Sequence, residues 1–268
     1  MTYRLLVLDV DGTLLDSAHT LRPRVADAVR SAQAAGLTVA LATGKLLSSV
    51  QPLLDAMGVR GPQIVLNGAA IQDTATAATV RFCPLNEGDR RAVIETVRAA
   101  DPDVLISHFA LDTILVDRPH PMLGIFAEYG EGPVEIVDDL LMSGLPPAAK
   151  ILVTGVPEQL VALRKIVTPH LQQRVLITTT TPQFLEFFDF AAGKGQALSV
   201  LRDALNVPRE AIIAMGDGEN DVPLLREAGL SVAMANGAEG TRAIADRIAP
   251  SNDEDGVAEV LEALLQGE

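Results

Sequence analysis

Short apolar segments alternate with amphipathic helical patterns in the N-terminal part of the chain, and this alternation restricts the fold more than any other feature. Predicted strands at residues 4–10, 37–43 and 63–69 are separated by predicted helices at 23–35 and 46–57. Strands that are apolar along almost their whole length are typical of a parallel sheet with helices on both faces. We therefore expect an α/β fold with a doubly wound, Rossmann-like parallel sheet.

The C-terminal part repeats this pattern. Its apolar runs are again followed by helical patterns, which predicts further strands and helices of the same sheet. The predicted helices are 194–205, 221–228, 238–245 and 256–265, and the predicted strands lie in "AIIAMGDGEND" (211–221), "LSVAMA" (230–235) and "DRIAP" (246–250). Residues 1–83 and 190–268 are thus expected to form one core domain.

The intervening segment, 84–189, has a different rhythm. Several of its predicted strands are separated only by short turns, such as "ALD" (110–112) and "TTP" (180–182). Turns this short join antiparallel strands, because a parallel crossover needs about a dozen residues or more. We expect this segment to be an α+β domain inserted into the core domain.

Composition limits the partners. The 268 residues carry a formal charge of −14, which disfavours nucleic acid and anionic membranes as partners. No apolar run approaches the roughly 20 residues of a membrane span. The single cysteine, Cys83, cannot form an intramolecular disulfide, which indicates a reducing compartment. We expect a cytoplasmic protein that acts on a small molecule, and the oligomeric state is left open.

The stretch "LVLDVDGTLLD" (6–16) leads an apolar strand directly into two carboxylates, Asp9 and Asp11. In an open parallel sheet, ligands bind beyond the carboxyl ends of the strands, so Asp217 and Asp221 are expected at the same edge. Two like charges about 4 Å apart repel by roughly 4 kcal/mol at an effective dielectric constant near 20. A cation is therefore expected among them. Oxygen ligands without nearby Cys or His favour Mg²⁺, which also accepts a substrate phosphate as a ligand.

Three other phosphate or metal motifs do not fit. An EF-hand loop starting at Asp9 would have Leu14 in place of glycine and Thr20 in place of glutamate. Neither "TGKL" nor "AGKGQ" has the serine or threonine that follows the lysine of a Walker A loop. The segment "GDGEND" lacks the last glycine of a dinucleotide-binding fingerprint.

Four motifs in order resemble those of the haloacid dehalogenase superfamily, in particular its Cof-type sugar-phosphatase branch. They are "DVDGTL" (9–14), "ATGK" (42–45), "GKGQAL" (193–198) and "GDGEND" (216–221). The resemblance covers nearly the whole chain and implies a Rossmann-like core with an inserted subclass-B cap. It also implies a Mg²⁺-dependent phosphatase that hydrolyses small phosphomonoesters, above all sugar phosphates, through an aspartyl-phosphate.

The resemblance also implies roles for individual residues. Asp9 is expected to attack phosphorus, and Asp11 is expected to donate a proton to the leaving oxygen and later to deprotonate water. The side chains of Asp9 and Asp217, with the backbone carbonyl of Asp11, are expected to bind Mg²⁺. The expected phosphate-binding groups are the Thr43 hydroxyl, the Gly44 amide, Lys194 and Asn220, and Asp221 is expected to hold metal-bound waters or Lys194.

Several questions stay open at this stage. Lys45 stands where many relatives have arginine, and it is either a substrate contact or a solvated surface lysine. The polar candidates for contacts beyond the phosphate are His108, Asp112, His120 and Glu186. The alternative enzyme is a phosphotransferase or phosphomutase, in which a second substrate accepts the phosphoryl group. A non-catalytic regulator that binds a phosphorylated metabolite is a third hypothesis, which the Asp9 and Asp11 pair disfavours.

Overall fold

The computed structural model describes residues 3–267. The strands, in chain order, are β1 Leu5–Leu8, β2 Thr38–Leu41, β3 Pro62–Val65, β4 Ala70–Asp73, β5 Ala78–Phe82, β6 Leu105–Phe109, β7 Ile114–Val116, β8 Val134–Ile136, β9 Lys150–Thr154, β10 Leu176–Thr181, β11 Phe184–Phe188, β12 Ile212–Gly216, β13 Leu230–Met234 and β14 Arg247–Ala249. The α-helices are α1 Pro23–Ala34, α2 Leu47–Met57, α3 Glu87–Ala100, α4 Gly124–Glu128, α5 Pro157–Leu171, α6 Lys194–Ala204, α7 Val222–Arg226, α8 Glu239–Arg242 and α9 Gly256–Gln266.

Five of these strands form a parallel sheet in the order β14-β13-β12-β1-β2. β1 lies inside this sheet, where Leu6 is paired with Ile213 on one side and with Val39 on the other. β2, the next strand in sequence, lies on one side of β1, and the later strands β12, β13 and β14 lie on the other side. The strand order therefore reverses at β1. The predicted doubly wound α/β fold is confirmed.

The two faces of this sheet are both covered, as the apolar strands require. Side chains alternate across a strand, so that Leu6 and Leu8 pack into a core with α1, α2 and α9. Leu5 and Val7 point the other way and pack into a core with α6 and α7. All four residues of β1 are buried, which makes this strand a rigid support for the residues that follow it.

The third predicted strand differs from the expectation. β3 lies beside β2 and joins the parallel sheet through one bridge between Ala42 and Ile64, but its ladder pairs with β4 in an antiparallel sheet that β5 completes. A 3₁₀ turn follows β3, in which Leu66 and Asn67 both have positive φ angles. This left-handed turn reverses the chain, and the sequence interpretation missed both the reversal and the hairpin of β4 and β5.

A second large sheet has the order β10-β11-β9-β6-β7-β8. Its neighbours are antiparallel, as the short turns predict, except that β7 and β8 run parallel. Its outer face packs against α3 and α5. Its inner face, with Phe109, Leu152 and Phe184, packs against Leu46 and Val65 near the ends of the parallel strands. This sheet therefore covers the edge at which the expected site lies.

The strands of this sheet all fall within residues 84–189, and the domain boundaries themselves stay a prediction. Across residues 3–267, none of the helices combines the length and apolar character that crossing a bilayer requires.

Candidate active site

The ends of three parallel strands bring polar side chains together. Asp9 follows β1, Asp217 follows β12, and Thr43 lies two residues beyond β2. These three residues line one cavity between the parallel sheet and the six-stranded sheet. Because neighbouring parallel strands end at the same edge, residues far apart in the sequence meet here.

Lys194 is the first residue of α6, and its side chain is only 1% exposed. Its Nζ lies 2.5 Å from Asp9 Oδ1 and 2.6 Å from Asp221 Oδ1. Burial alone would lower the pKa of Lys194, but the charges of Asp221 and Asp9 outweigh burial and raise it. Lys194 is thus a fixed positive charge beside Asp9.

Asp221 uses both of its carboxylate oxygens. Oδ1 pairs with Lys194, and Oδ2 accepts hydrogen bonds from the backbone N–H groups of Asp217 at 3.0 Å and Gly218 at 2.9 Å. The side chain is 1% exposed. Asp221 therefore fixes both the lysine and the loop that carries Asp217.

The acidic side chains are crowded. Carboxylate oxygens of Asp9, Asp217 and Asp221 all lie within 4.8 Å of one another. Burial, followed by the charge of Asp221, raises the pKa of Asp9 well above its usual value. The same two causes raise the pKa of Asp217 to about 6, although the Thr13 hydroxyl donates to its Oδ1 at 3.1 Å. Lys194 alone does not balance this negative charge.

The glycine of the first motif is required by this crowding. Gly12 has a φ angle of +80°, and a Cβ atom at this position would lie 2.4 Å from Asp217 Oδ2. A side chain at residue 12 would both strain the backbone and displace a carboxylate of the cluster.

The donor set fits a hard divalent cation. Asp9 and Asp217 offer carboxylate oxygens, and Mg²⁺ prefers such ligands together with water. Asp221 is less suited as a direct ligand, because both of its oxygens already accept hydrogen bonds. The Asp11 side chain is outside this cluster, so only its backbone carbonyl is available for the role that the sequence resemblance implies.

The Asp11 carboxylate lies beside two basic side chains. Lys45 Nζ lies 3.2 Å from Asp11 Oδ2, and His19 Nδ1 lies 3.4 Å from Asp11 Oδ1. Lys45 is 5% exposed and also donates to the backbone carbonyl of Tyr129. The alternative of a solvated surface lysine is therefore wrong for Lys45.

Three of the four expected phosphate-binding residues, Thr43, Gly44 and Asn220, line the same cavity, whereas Lys194 is buried and is not among its lining residues. Thr43 Oγ1 accepts a hydrogen bond from the Lys45 backbone N–H at 3.2 Å, which leaves its own proton available to a ligand. The Gly44 carbonyl accepts from Lys150 Nζ at 2.8 Å. Asn220 also lines the cavity, and its Nδ2 donates to Asn67 Oδ1 at 2.9 Å.

The six-stranded sheet, α4 and the segment after α4 supply the opposite wall of the cavity. Four of the nine aromatic residues of the chain line it, together with the buried pair Lys150 and Glu186. These aromatic residues are Phe109, Phe126, Tyr129 and Phe184. A ligand held at Asp9 would therefore meet apolar rings and a few buried polar groups.

Of the four polar candidates for this wall, Glu186 alone lines the cavity. His108 is buried and contacts the carbonyl of Pro146, while His120 contacts the carbonyl of Asp103. The remaining candidate, Asp112, is exposed.

Sequence reasoning missed His19, Asn67, Tyr129, Glu131 and Lys150 as residues of the site. Glu131 accepts a hydrogen bond from Ser49 Oγ at 2.8 Å, and burial raises the pKa of its carboxyl. One signal did exist for Lys150, because the chain has only four lysines. Three of them, Lys45, Lys150 and Lys194, are buried around the site.

Comparisons with known proteins identify the family of this chain. The family model of haloacid dehalogenase-like hydrolases matches residues 6–261. Phosphatase YwpJ of Bacillus subtilis is 27% identical, with 98% of this chain and 100% of that protein covered. The 5-amino-6-(5-phospho-D-ribitylamino)uracil phosphatase YcsE of the same species is 28% identical, with 96% and 94% covered. A haloacid dehalogenase-like hydrolase from Bacteroides thetaiotaomicron superposes with a TM-score of 0.86 at 28% identity, covering 98% and 99%.

The chain therefore belongs to the haloacid dehalogenase-like hydrolase family. The resemblance expected from the four motifs is confirmed, and with it the prediction of an enzyme of the phosphoric monoester hydrolase class.

Proposed function

We propose that this enzyme is a Mg²⁺-dependent phosphatase of small phosphomonoesters, above all sugar phosphates, and that the phosphoryl group passes through Asp9. The observation that carries the proposal is the position of Asp9 at the end of β1, 2.5 Å from the buried Lys194 ammonium and beside Asp217. Phosphoryl transfer is catalysed mainly by positioning and by positive charge on the phosphoryl oxygens. A carboxylate between a lysine and a cation site meets both needs.

In the proposed first step, an oxygen of Asp9 attacks phosphorus and the bond from phosphorus to the ester oxygen breaks. Asp11, in its protonated form, gives its proton to the leaving oxygen, so an alcohol departs and Asp9 carries the phosphoryl group. In the second step, water attacks phosphorus and loses a proton to Asp11. The bond from phosphorus to Asp9 breaks, inorganic phosphate leaves, and both aspartates return to their starting states.

The other residues of the site hold the phosphoryl group in line with Asp9. Lys194, the Thr43 hydroxyl, the Gly44 N–H and the Asn220 amide are the proposed donors to its oxygens. Lys45 is proposed to hold the Asp11 carboxylate near the leaving oxygen, and His19 lies beside it. Mg²⁺, held by Asp9, Asp217 and the Asp11 carbonyl, would neutralise charge on the phosphoryl oxygens when bound.

The proposed substrates are small because the second sheet covers the site. The cavity between the sheets is bounded by Phe184, Tyr129 and other side chains, so little room is left beyond the phosphoryl group. The relative YcsE is named for a phosphorylated ribityl compound, which agrees with a phosphate ester of a small polyol or sugar.

The test is phosphate release from a panel of hexose, pentose, nucleotide and flavin-precursor monophosphates, with Mg²⁺ and with a chelator. We expect release to need Mg²⁺ and to fall at least about a thousandfold in Asp9→Asn, since an amide is a very poor nucleophile. Asp27→Asn, at an exposed position of α1, is the matched control and should behave as wild type. Turnover that survives chelation or the Asp9 change would contradict the mechanism.

The same assay separates the alternative enzyme. If phosphate is not released but appears on a second sugar, the protein is a phosphotransferase or phosphomutase. If a phosphorylated metabolite binds but no phosphoryl group is transferred, the regulatory hypothesis is favoured.

A further inference from the structure

A continuous chain of buried polar side chains links the six-stranded sheet to two of the expected phosphate-binding residues. Glu186 on β11 and Lys150 on β9 are each 2% exposed, and Lys150 Nζ lies 3.1 Å from Glu186 Oε1. From this pair, one connection leads to the Gly44 carbonyl and another leads through Asn67 to Asn220.

The two oxygens of Glu186 are both engaged. Oε1 accepts hydrogen bonds from Lys150 Nζ and from the Thr180 hydroxyl, each at 3.1 Å. Oε2 accepts a hydrogen bond from Asn67 Nδ2. A carboxylate paired with a lysine can only accept hydrogen bonds. Asn67 must therefore turn its NH₂ group toward Glu186.

This requirement passes along the chain. Because the NH₂ of Asn67 faces Glu186, its Oδ1 faces Asn220, and Asn220 must donate through Nδ2, as it does at 2.9 Å. Asn67 is 1% exposed and its backbone N–H donates to the Thr43 carbonyl at 2.8 Å, so its side-chain amide stays between Glu186 and Asn220 and has no water as an alternative partner. The charge on Glu186 thus decides whether Asn220 turns its NH₂ group or its oxygen toward Asn67.

We propose that Glu186 is a positioning residue that fixes the direction of this hydrogen-bond chain, so that Asn220 presents a donor and not an acceptor to the phosphoryl group. The remaining N–H of Asn220 Nδ2 then serves a phosphoryl oxygen. The second connection acts on the other side of the site, where Lys150 holds the Gly44 carbonyl while the next backbone N–H holds Thr43 Oγ1. This inference rests on the proposed function.

Replacing Glu186 by glutamine should reverse the donor-to-acceptor direction of the hydrogen bonds that run through Asn67 to Asn220. Lys150 and Thr180 both donate to the Oε1 position, so the glutamine oxygen stays there and its NH₂ faces Asn67. The NH₂ groups of the glutamine and of Asn67 then face each other. To form hydrogen bonds again, the side-chain amides of Asn67 and Asn220 must both rotate so that oxygen and NH₂ exchange places. Asn220 would present an oxygen where the phosphoryl group needs a donor.

A second substitution should restore the direction. In the double variant Glu186→Gln with Asn67→Asp, the glutamine NH₂ donates to the new carboxylate, and Asn220 again donates to its other oxygen. Asparagine and aspartate are the non-glycine residues that best tolerate the φ angle of 54° found at residue 67. Asn67→Asp alone places two carboxylates in contact and should impair the site by itself.

The experiment measures binding of inorganic phosphate by calorimetry with Mg²⁺ present, alongside KM and kcat. We expect Glu186→Gln to weaken phosphate binding and raise KM by about tenfold each, the loss of one good hydrogen bond to a charged group. The double variant should return to within about threefold of wild type. The control is Arg164→Gln, which breaks the exposed contact of Arg164 with Glu219 across the same two layers and should change phosphate affinity by less than about twofold.

A merely structural role for Glu186 would lower the melting temperature of both the single and the double variant without rescue of phosphate affinity, and this result would overturn the proposal. Unchanged phosphate affinity in Glu186→Gln would do the same. If the single variant fails to fold, the double variant decides alone, because wild-type affinity supports the proposal and weak affinity refutes it. Wild-type protein that binds phosphate without turnover would contradict the proposed function, and the binding series would still test the role of Glu186.

Discussion

His108 lies at the centre of the sheet that covers the site, and its protonation should destabilise the fold. It is 0% exposed, in β6 between Leu115 and Ile151 of the neighbouring strands. Its Nε2 lies 2.9 Å from the Pro146 carbonyl, which can only accept, so Nε2 carries the proton. Nδ1 is buried and has no hydrogen-bond partner among residues 3–267. A second proton would therefore be buried without an acceptor.

The magnitude follows from the pKa. The pKa of His108 is lowered from 6.5 to about 4, mainly by burial and to a smaller extent by the charge of Arg90, while the hydrogen bond to Pro146 opposes this shift. The unfolded chain takes up a proton near pH 6.5, whereas the folded protein does so only near pH 4. The stabilising effect of the neutral form is thus complete above pH 6.5 and is lost as the pH falls toward 4. At about 1.4 kcal/mol per unit, the full loss is about 3 kcal/mol.

The assay is urea denaturation followed by circular dichroism for wild type and His108→Gln, whose amide can still donate to Pro146. Between about pH 7.5 and about pH 4.5, the difference in unfolding free energy should move by about 2.5 kcal/mol in favour of the variant, because glutamine does not titrate. The exposed His170, changed to glutamine in the same way, should show no such movement. Parallel pH profiles for wild type and His108→Gln would refute the assignment of a buried neutral imidazole.

Three further predictions concern the site. Burial and the charge of Asp221 raise the pKa of Asp217 to about 6, so protons already neutralise part of the acidic cluster at about pH 5. Mg²⁺ should therefore raise the melting temperature more at about pH 7.5 than at about pH 5. An equal rise at the two pH values would contradict a cation at this position. Gly68→Ala places a Cβ atom 2.2 Å from the Gly193 carbonyl, just before α6, and should lower the free energy of unfolding by at least about 2 kcal/mol. Gly61 also has a positive φ, but a Cβ there meets nothing within 4 Å, so Gly61→Ala should lower it by about 1 kcal/mol. Equal losses in urea denaturation would show that the contact at Gly68 is unimportant. Lys45→Met removes the cation 3.2 Å from the Asp11 carboxylate. It should lower kcat by about tenfold or more with little change in melting temperature, because Asp11 would lose the group that positions it. An unchanged kcat would exclude this role for Lys45.

The residues at the strand ends could be predicted because topology alone places them. Once the apolar runs are assigned to one parallel sheet, Asp9, Thr43 and Asp217 must end at a common edge. No side-chain packing has to be known for this conclusion. The predicted strand at 63–69 is present only up to Val65, and beyond it the positive φ angles of Leu66 and Asn67 turn the chain into a hairpin although the apolar run continues. Hydrophobic periodicity carries no information on such a turn.

The contacts between the two layers could not be predicted, because they depend on how one sheet lies on the other. Lys150 and Gly44 are 106 residues apart, and Asn67 and Glu186 are 119 apart. Neither pair belongs to one motif, and the side chains of Lys150, Asn67 and Glu186 would each fit a surface position by themselves. These groups need a specific partner only because they are buried between the two layers, where a charge or an amide cannot be hydrogen-bonded by water.

The choice of lysine at three buried positions follows from the same geometry. Lys194 meets carboxylate oxygens of Asp9 and Asp221, which belong to different segments. Lys150 meets a carboxylate and a carbonyl, and Lys45 meets a carboxylate and a carbonyl from the opposite layer. In each case the acceptors belong to separate segments, so a planar guanidinium, which suits the two oxygens of one group, has no matching partner. A compact ammonium with three donors can serve acceptors in different directions. In a chain that uses arginine for most of its positive charges, a buried lysine therefore marks a point where separate segments must be held around one small space.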